Sequence, residues 1–436
     1  MQALLKELRP TLALAMPMIV GQVSQMLIGI TDAALIGRVG TVELAAAAFS
    51  HGIFGLFYIV GIGLLLPVGV FTARDRGAGD RAGCHAWLKH GRVLALAVGA
   101  AAFGVLAGLA TQLHRFGQPP EVVAVMRPFF LLNSLSLVPV FYFQVQRQYL
   151  DALGRPWVGT SIILADVALN ALLNWMFIWG HLGAPALGLT GSGVATLIAR
   201  TLAVTTIALW LRREEGPAGG LERGRFRTLL QMGLPAASSL LFESGAFAAA
   251  MLMMGWLGAP ALAAHQIALS CAALTFMVPL GLSMAVSIRI SQARGAGRHE
   301  LLRPIGLGAF ACGGLAMAVF ATTFILAGRG LAAGFTADPV VIALAVRLLV
   351  VAGIFQLFDG GQVIASGALR GLTDVKVPTG ITFVAYWVLS LPLGYVLAFH
   401  TPLGPVGVWT GLAAGLGCAA GLLSWRFHHK TARGAM

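Results

Sequence analysis

Charge is scarce in this sequence. Only 10% of its 436 residues are Asp, Glu, Lys or Arg, while 58% are hydrophobic; a soluble domain carries about 25% charged residues. That scarcity excludes an ordinary water-soluble globule. Cysteine is rarer still: Cys84, Cys271, Cys312 and Cys418 stand apart with no CxxC pair. They read as small apolar fillers, neither a disulfide framework nor a metal site. No Walker loop is present, so no visible motif points to ATP as an energy source. No Ser/His/Asp set and no cluster of metal ligands suggests an enzyme.

What the chain has in abundance is long apolar runs, such as "VLALAVGAAAFGVLAGLATQL" from Val93 to Leu113. Runs of this length cross the hydrocarbon core as helices, since roughly 20 residues at about 1.5 Å each span it. Twelve such segments are expected, near 12–36, 45–71, 91–112, 125–147, 157–180, 188–211, 229–256, 262–288, 304–327, 340–366, 377–399 and 405–426. The first is too long for a cleaved signal peptide, and no small-residue cleavage site follows a short apolar core. The fold class is therefore an all-α polytopic membrane protein.

The formal net charge of +13 fits this class better than it fits nucleic-acid binding. Lys and Arg gather at the N-terminal end (Lys6, Arg9), after the second segment (Arg74, Arg76, Arg81, Lys89, Arg92) and after the sixth (Arg212, Arg213, Arg223, Arg225, Arg227). They gather again after the eighth (Arg289, Arg294, Arg298, Arg303) and at the C-terminal end (Arg426, Lys430, Arg433). The loops after the fifth, seventh and eleventh segments have none. Positive residues stay on the cytoplasmic side, so both termini and the even loops are expected there, in a multi-pass protein of a bacterial inner membrane.

The chain also repeats itself. A shift of 218 residues lays Met16-Pro17 on Leu234-Pro235, "LAAAA" from Leu44 on "LAAHQ" from Leu262, "RGAG" from Arg76 on "RGAG" from Arg294, and Gln144-Val145 on Gln362-Val363. Further along, "LDALGRPWVGT" from Leu150 resembles "LRGLTDVKVPT" from Leu369, now shifted by 219. The expected organisation is an N-terminal six-helix lobe (1–211), a polar linker (212–228, "REEGPAGGLERGRF" at its centre) and a C-terminal six-helix lobe (229–436). With an even number of spans each, the halves enter the membrane from the same side. Parallel repeats of this kind are related by an axis along the membrane normal and place substrate between the two bundles. Pro17 and Pro235 fall early in the first helix of each half, positions for a kink or a hinge.

Three acids lie deep in apolar segments: Asp32, Glu243 and Asp359; Asp166 is a fourth candidate. An acid at a helix centre costs about 2.5–3.5 kcal/mol on insertion scales, so such residues mark ion or substrate paths. No Lys or Arg is expected deep enough to pair with them; Arg38, Arg127, Arg200 and Arg347 are read as lying toward helix ends. A deep carboxyl without a basic partner takes a proton or holds a small cation. Helical phase gathers further polar groups around the acids. Gln25 and Asp32 are seven apart on one face; Asp166, Asn170 and Asn174 follow every fourth position; Gln356, Asp359, Gln362 and Ser366 make another stripe. Oxygen-rich stripes suit Na⁺ or a relayed proton, and Asn and Gln equally serve as interhelical hydrogen-bonding glue. The acids do not obey the repeat: under the 218 shift Glu243 falls on Gln25, Asp32 on Ala250 and Asp359 on Phe141.

These stretches carry a family resemblance. "MPMIVGQVSQMLIGITDAALIGRVG" from Met16, "NALLN" from Asn170, "LPAASSLLFESGAFA" from Leu234, "LAAHQIAL" from Leu262 and "FDGGQVIASGALRG" from Phe358 together resemble the multidrug and toxic compound extrusion (MATE) transporters, on the NorM-like branch. The resemblance spans essentially the whole chain. It implies twelve helices in two six-helix lobes, a monomer, and export of cationic amphipathic small molecules in exchange for Na⁺ or H⁺, with no other cofactor. It implies that Asp32, with Asn170, Asn174 and Thr196, forms the N-lobe ion site, and that Glu243 and Asp359 are the C-lobe acids, able to take Na⁺. Cargo contacts are expected at Asp32, Gln25, Glu243, Asp359 and Gln362. Some relatives carry an acid where this chain has Asn174, and Asp166 lies outside the family pattern. The rival reading is a flippase for a lipid-linked substrate, which would want basic residues facing its anionic cargo.

Overall fold

The computed structural model describes residues 2–213, 216 and 219–432. Residues 214, 215, 217 and 218, within the expected linker, lie outside the described residues. In chain order the helices are α1 (Gln2–Gly37), α2 (Thr41–Leu65), α3 (Pro67–Gly77), α4 (Arg81–Ala110), α5 (Pro120–Leu135), α6 (Leu137–Ala152), α7 (Pro156–Trp179) and α8 (Leu189–Leu211). They continue with α9 (Arg223–Trp256), α10 (Ala259–Gly295), α11 (Leu302–Ala333), α12 (Pro339–Gly371), α13 (Lys376–Phe383), α14 (Leu391–Phe399) and α15 (Pro405–Ala432). A π-helical stretch, Val384–Ser390, joins α13 to α14.

Among the described residues, twelve helical segments are long and apolar enough to cross a membrane, with α2–α3, α5–α6 and α13–α14 each making one segment of two or more pieces. The protein is an all-α, multi-pass membrane protein. Helix is the form this solvent demands, because a span in hydrocarbon must satisfy its backbone N–H and C=O groups internally. The interruptions follow from proline. Pro67 opens α3 and Pro392 sits at the start of α14, where its missing N–H is least costly. The helices overrun the expected apolar segments at their polar ends: α10 continues to Gly295 and α9 already begins at Arg223, inside the stretch read from sequence as linker. The chain remains helical through Pro17 and Pro235.

Close contacts divide the chain into two compact units: Met1–Ile19 with Ser238–Met436, and Val20–Ala237. The boundaries fall inside α1 and α9, a few residues beyond Pro17 and Pro235. Each of these helices therefore contributes its first part to one unit and its remainder to the other. Repeat-related glycines make the joins. A Cβ on Gly281 of α10 would come within 2.8 Å of the Ile19 backbone nitrogen, and one on Gly63 of α2 within 2.8 Å of that of Ala237. Gly63 and Gly281 differ by 218, as do Ile19 and Ala237. Backbones this close leave no room for any side chain at the glycine.

The core of the first unit gathers α9, α10, α12 and α15 around the fully buried Trp409, with Phe355, Tyr386 and His265 against it. Trp409 Nε1 donates to His265 Nδ1 at 3.1 Å. The conspicuous "RGAG" repeats have distinct local duties. Arg294 donates to the Leu372 carbonyl at 2.7 Å and to Thr373 Oγ1 at 2.8 Å, capping the end of α12, whose last carbonyls lack helical partners. In the other repeat, Asp75 next to Arg76 accepts from Trp87 Nε1 at 2.6 Å and pairs with Arg74 at 2.8 Å.

Between α12 and α13, Asp374 accepts from Arg426 Nε at 2.7 Å and lies 2.9 Å from Lys430 Nζ. Burial pushes the Asp374 carboxyl up, but hydrogen bonds and charge from Arg426 and Lys430 outweigh it and hold it below the usual carboxylate range.

Two predictions follow from the packing and from this ion pair. Gly63→Ala and Gly281→Ala should each destabilise the protein by about 1–3 kcal/mol through overpacking, seen as a lower thermal unfolding midpoint in detergent; an unchanged midpoint would remove the close-approach argument. A depressed folded-state pKa gives stability that is present above the unfolded value of about 3.9 and is lost as pH falls through the folded one. The stability difference between wild type and Asp374→Asn should therefore be constant above about pH 5 and shrink in more acidic buffer. A difference that grows on acidification would contradict the assignment.

Candidate functional site

The deep polar residues form two clusters, one in each compact unit. In the unit Val20–Ala237, Asp32 on α1 is 5% exposed. Its Oδ1 accepts from Asn174 Nδ2 at 2.8 Å, and the same nitrogen lies 3.0 Å from both the backbone oxygen and Oδ1 of Asn170. Asn170 Nδ2 in turn donates to Thr196 Oγ1 on α8 at 3.4 Å. The i, i+4 spacing on α7 stacks the two amides on one face, so Asp32, Asn170, Asn174 and Thr196 form one continuous chain of contacts, all buried. Asp166, one turn earlier on α7, has a buried Oδ1 without a hydrogen-bond partner and interacts electrostatically with Asp32. Gln25 is half-buried two turns before Asp32 and takes no part in this chain of contacts.

The expectation that no basic residue lies deep is overturned here. Arg200, one turn after Thr196 on α8, interacts electrostatically with Asp32, Asp166 and Tyr58. Its guanidinium donates to Ser136 Oγ and its Cζ sits 5.2 Å from the centre of the Phe54 ring. Arg147 on α6 lies deeper still, only 1% exposed; it pairs with Asp151 one turn on at 3.9 Å and reaches Gln22 Oε1 at 3.5 Å. Reading Arg200 as a helix-end residue failed because its stabilisers, a hydroxyl at the α5–α6 break and an aromatic face on α2, are far away in sequence.

In the other unit, Glu243 on α9 and Asp359 on α12 are near enough to feel each other's charge. Asp359 is 5% exposed and Glu243 half-buried. Gln362, one turn along from Asp359, is hydrogen-bonded to Glu243, and its own Oε1 has no partner. Gln356 does not join the acids through its nitrogen: it donates to Thr275 Oγ1 and toward the Ala272 carbonyl on α10, acting as interhelical glue. The residue that the sequence did not single out is Tyr386. It lies in the π-helical stretch, is fully buried, and interacts electrostatically with both Glu243 and Asp359. Its hydroxyl has no hydrogen-bond partner. π-helical turns are rare and concentrate at functional sites; nothing in "VAYWVLS" announces one.

Two small oxygen-rich clusters with acids at their centres can each hold a proton, a monovalent cation or the positive end of a ligand. Among the described residues, no group of three or more His, Cys, Asp or Glu side chains is placed to hold a metal ion, so a Na⁺ site here would draw on amide, hydroxyl and carboxylate oxygens together.

The MatE family profile matches residues 17–176 and again 235–396, two stretches whose starts are 218 apart, as the internal repeat requires. The chain is 37% identical to "Probable multidrug resistance protein NorM" of Mesorhizobium japonicum over 97% of this chain and 94% of that one. It is 36% identical to the protein of the same name from Pseudomonas aeruginosa, over 98% and 91%. Its fold is similar to a solved structure described as "Outward-facing conformation of a multidrug resistance MATE family transporter of the MOP superfamily", with a TM-score of 0.89 at 21% identity over 99% of this chain and 97% of that one. With a doubled family match over most of its length and full-length relatives of this kind, the chain belongs to the multidrug and toxic compound extrusion (MatE) family, on its NorM-like branch.

Proposed function

We propose that this protein is a secondary antiporter that exports amphipathic organic cations in exchange for Na⁺ or H⁺. The observation that carries the reading is the pair of deep acid clusters, Asp32 with Asn170, Asn174 and Thr196, and Glu243 with Asp359 and Gln362. Carboxylates in an apolar span are costly, and a mobile cation is the natural counter-charge. Membership of the MatE family and the multidrug names of the relatives support a drug as cargo. The work done is movement: cargo enters and leaves unchanged.

Coupling then needs only competition. If cargo and coupling ion neutralise the same carboxylates, binding of one favours release of the other, and each shifts the conformational equilibrium by its differential affinity for the two states. Alternating access by rocking of the two lobes satisfies this requirement. The clustering of Lys and Arg supports cytoplasmic termini, and membership of the family supports a bacterial inner membrane and a monomer. Tyr386, with its unpartnered hydroxyl beside Glu243 and Asp359, is suited to contribute an oxygen to the ion at that pair.

A flippase for a lipid-linked anion is the rival, and the half-buried, mid-helix Arg200 is the observation that favours it. Its field is already shared by two carboxylates, Asp32 and Asp166, which leaves that neighbourhood negative and favours cationic cargo.

Efflux of ethidium from loaded cells or everted vesicles, under a Na⁺ gradient and a pH gradient imposed separately, tests the proposal. One of the gradients should drive efflux. Asp32→Asn, Glu243→Gln and Asp359→Asn should each reduce it by about tenfold or more at equal expression, the scale of a lost charge-assisted contact. Full efflux in all three variants would sink the reading, and no efflux in wild type under either gradient would move it to the flippase. Tyr386→Phe should raise the half-saturating concentration of the driving ion by roughly tenfold while leaving the maximal rate nearly unchanged; an identical ion dependence would take Tyr386 out of the site.

A further inference from the structure

The charges around Asp32 do not balance in the way a bare carboxylate would. Three ionic groups share that neighbourhood: Asp32 on α1, Asp166 on α7 and Arg200 on α8. The other titratable groups facing Arg200 are Tyr58 and His51 of α2, both neutral in their ordinary forms near pH 7. With both acids ionised, two carboxylates and one guanidinium leave a single net negative charge.

Arg200 is held so that its charge stays available. Its direct partners are the Ser136 hydroxyl and the face of Phe54, and neither is ionic. Phe54 is itself braced, stacked against Tyr58 at 6.0 Å. The Oδ1 atom of Asp32 is meanwhile occupied by Asn174. The guanidinium is thus fixed beside the acids without closing on Asp32, and it acts on them across space.

We infer that Arg200 is a specificity-determining residue that sets the valence of the cation taken at Asp32, so that the site is matched to one positive charge. The inference rests on the reading that Asp32 receives the charge of the cargo. Without Arg200, two unbalanced carboxylates would favour a dication. With Arg200 in place, the second charge of a dication meets a fixed guanidinium in place of a free acid.

Ethidium and propidium share one aromatic ring system and differ in charge, one positive against two, so the ratio of their dissociation constants reports valence preference. The ratio is measured by fluorescence on the purified full-length protein in detergent. Asp32→Asn should weaken ethidium binding by about tenfold or more; unchanged binding would overturn the reading of Asp32 and the inference with it. Given that loss, Arg200→Gln should shift the ratio toward propidium by about tenfold or more, while Arg200→Lys keeps the wild-type ratio. An unshifted ratio in Arg200→Gln with ethidium binding retained would overturn the inference and leave the role of Asp32 intact. If Arg200→Gln does not fold, Asp166→Asn tests the same charge count from the other side. It should weaken both dyes and propidium more, and a stronger preference for propidium would overturn the inference.

Discussion

Hydrocarbon offers no hydrogen bonds, and that constraint organises this protein. Spanning backbone groups are satisfied within helices, so the described spans are helical, with proline at their interruptions. The same constraint makes each polar side chain in a span expensive unless a neighbour answers it. What looks in the sequence like a scatter of Asn, Gln, Ser and Thr is largely a set of answers: Asn174 to Asp32, Thr196 to Asn170, Gln362 to Glu243, Thr275 to Gln356. The acids left incompletely answered are the positions on which the proposed exchange of cations rests.

The two clusters meet that demand differently. The Asp32 cluster is built on amides from one helix face and carries its own fixed cation in Arg200. The Glu243–Asp359 cluster sets two acids together with an amide and an unpartnered phenol. The repeat shows how far they have separated: by the offset of 219 that holds in this part of the chain, Arg200 corresponds to Ala419 and Tyr386 to Val167. One ancestral plan thus holds two chemically different sites, one with a resident positive charge and one with only negative ones.

Much of this was legible in the sequence. Spans follow from apolar run length and the Asn170–Asn174 face from helical phase, because each depends on neighbours along the chain, and the repeat from an offset that drifts only from 218 to 219. Asp32, Asp359 and Glu243 stood out because an acid in an apolar run has few innocent explanations. Arg200 was misread and Tyr386 passed over for a common reason: their roles depend on groups distant in sequence. Ser136 and Phe54 stabilise Arg200 from other helices, and a π-helical stretch orients Tyr386. Helix ends were misjudged where polar residues prolong a helix beyond its apolar segment, as in α10 and α9.

The division of α1 and α9 bears on how such a chain can be assembled. Each unit borrows its opening helical stretch from the other half of the sequence: residues Met1–Ile19 complete the unit of Ser238–Met436, and α9 up to Ala237 completes the other. A duplicated gene that began as two separate six-span proteins would have exchanged these arms as identical partners do in a swapped dimer. Once fused, neither half is a finished object. The first unit to be synthesised waits for the start of α9 before its packing is complete, and the arm it sends ahead stays uncovered until α10, which packs against Ile19, arrives. The two units are therefore built in overlap, which ties the packing around one acid cluster to the successful synthesis of the other half.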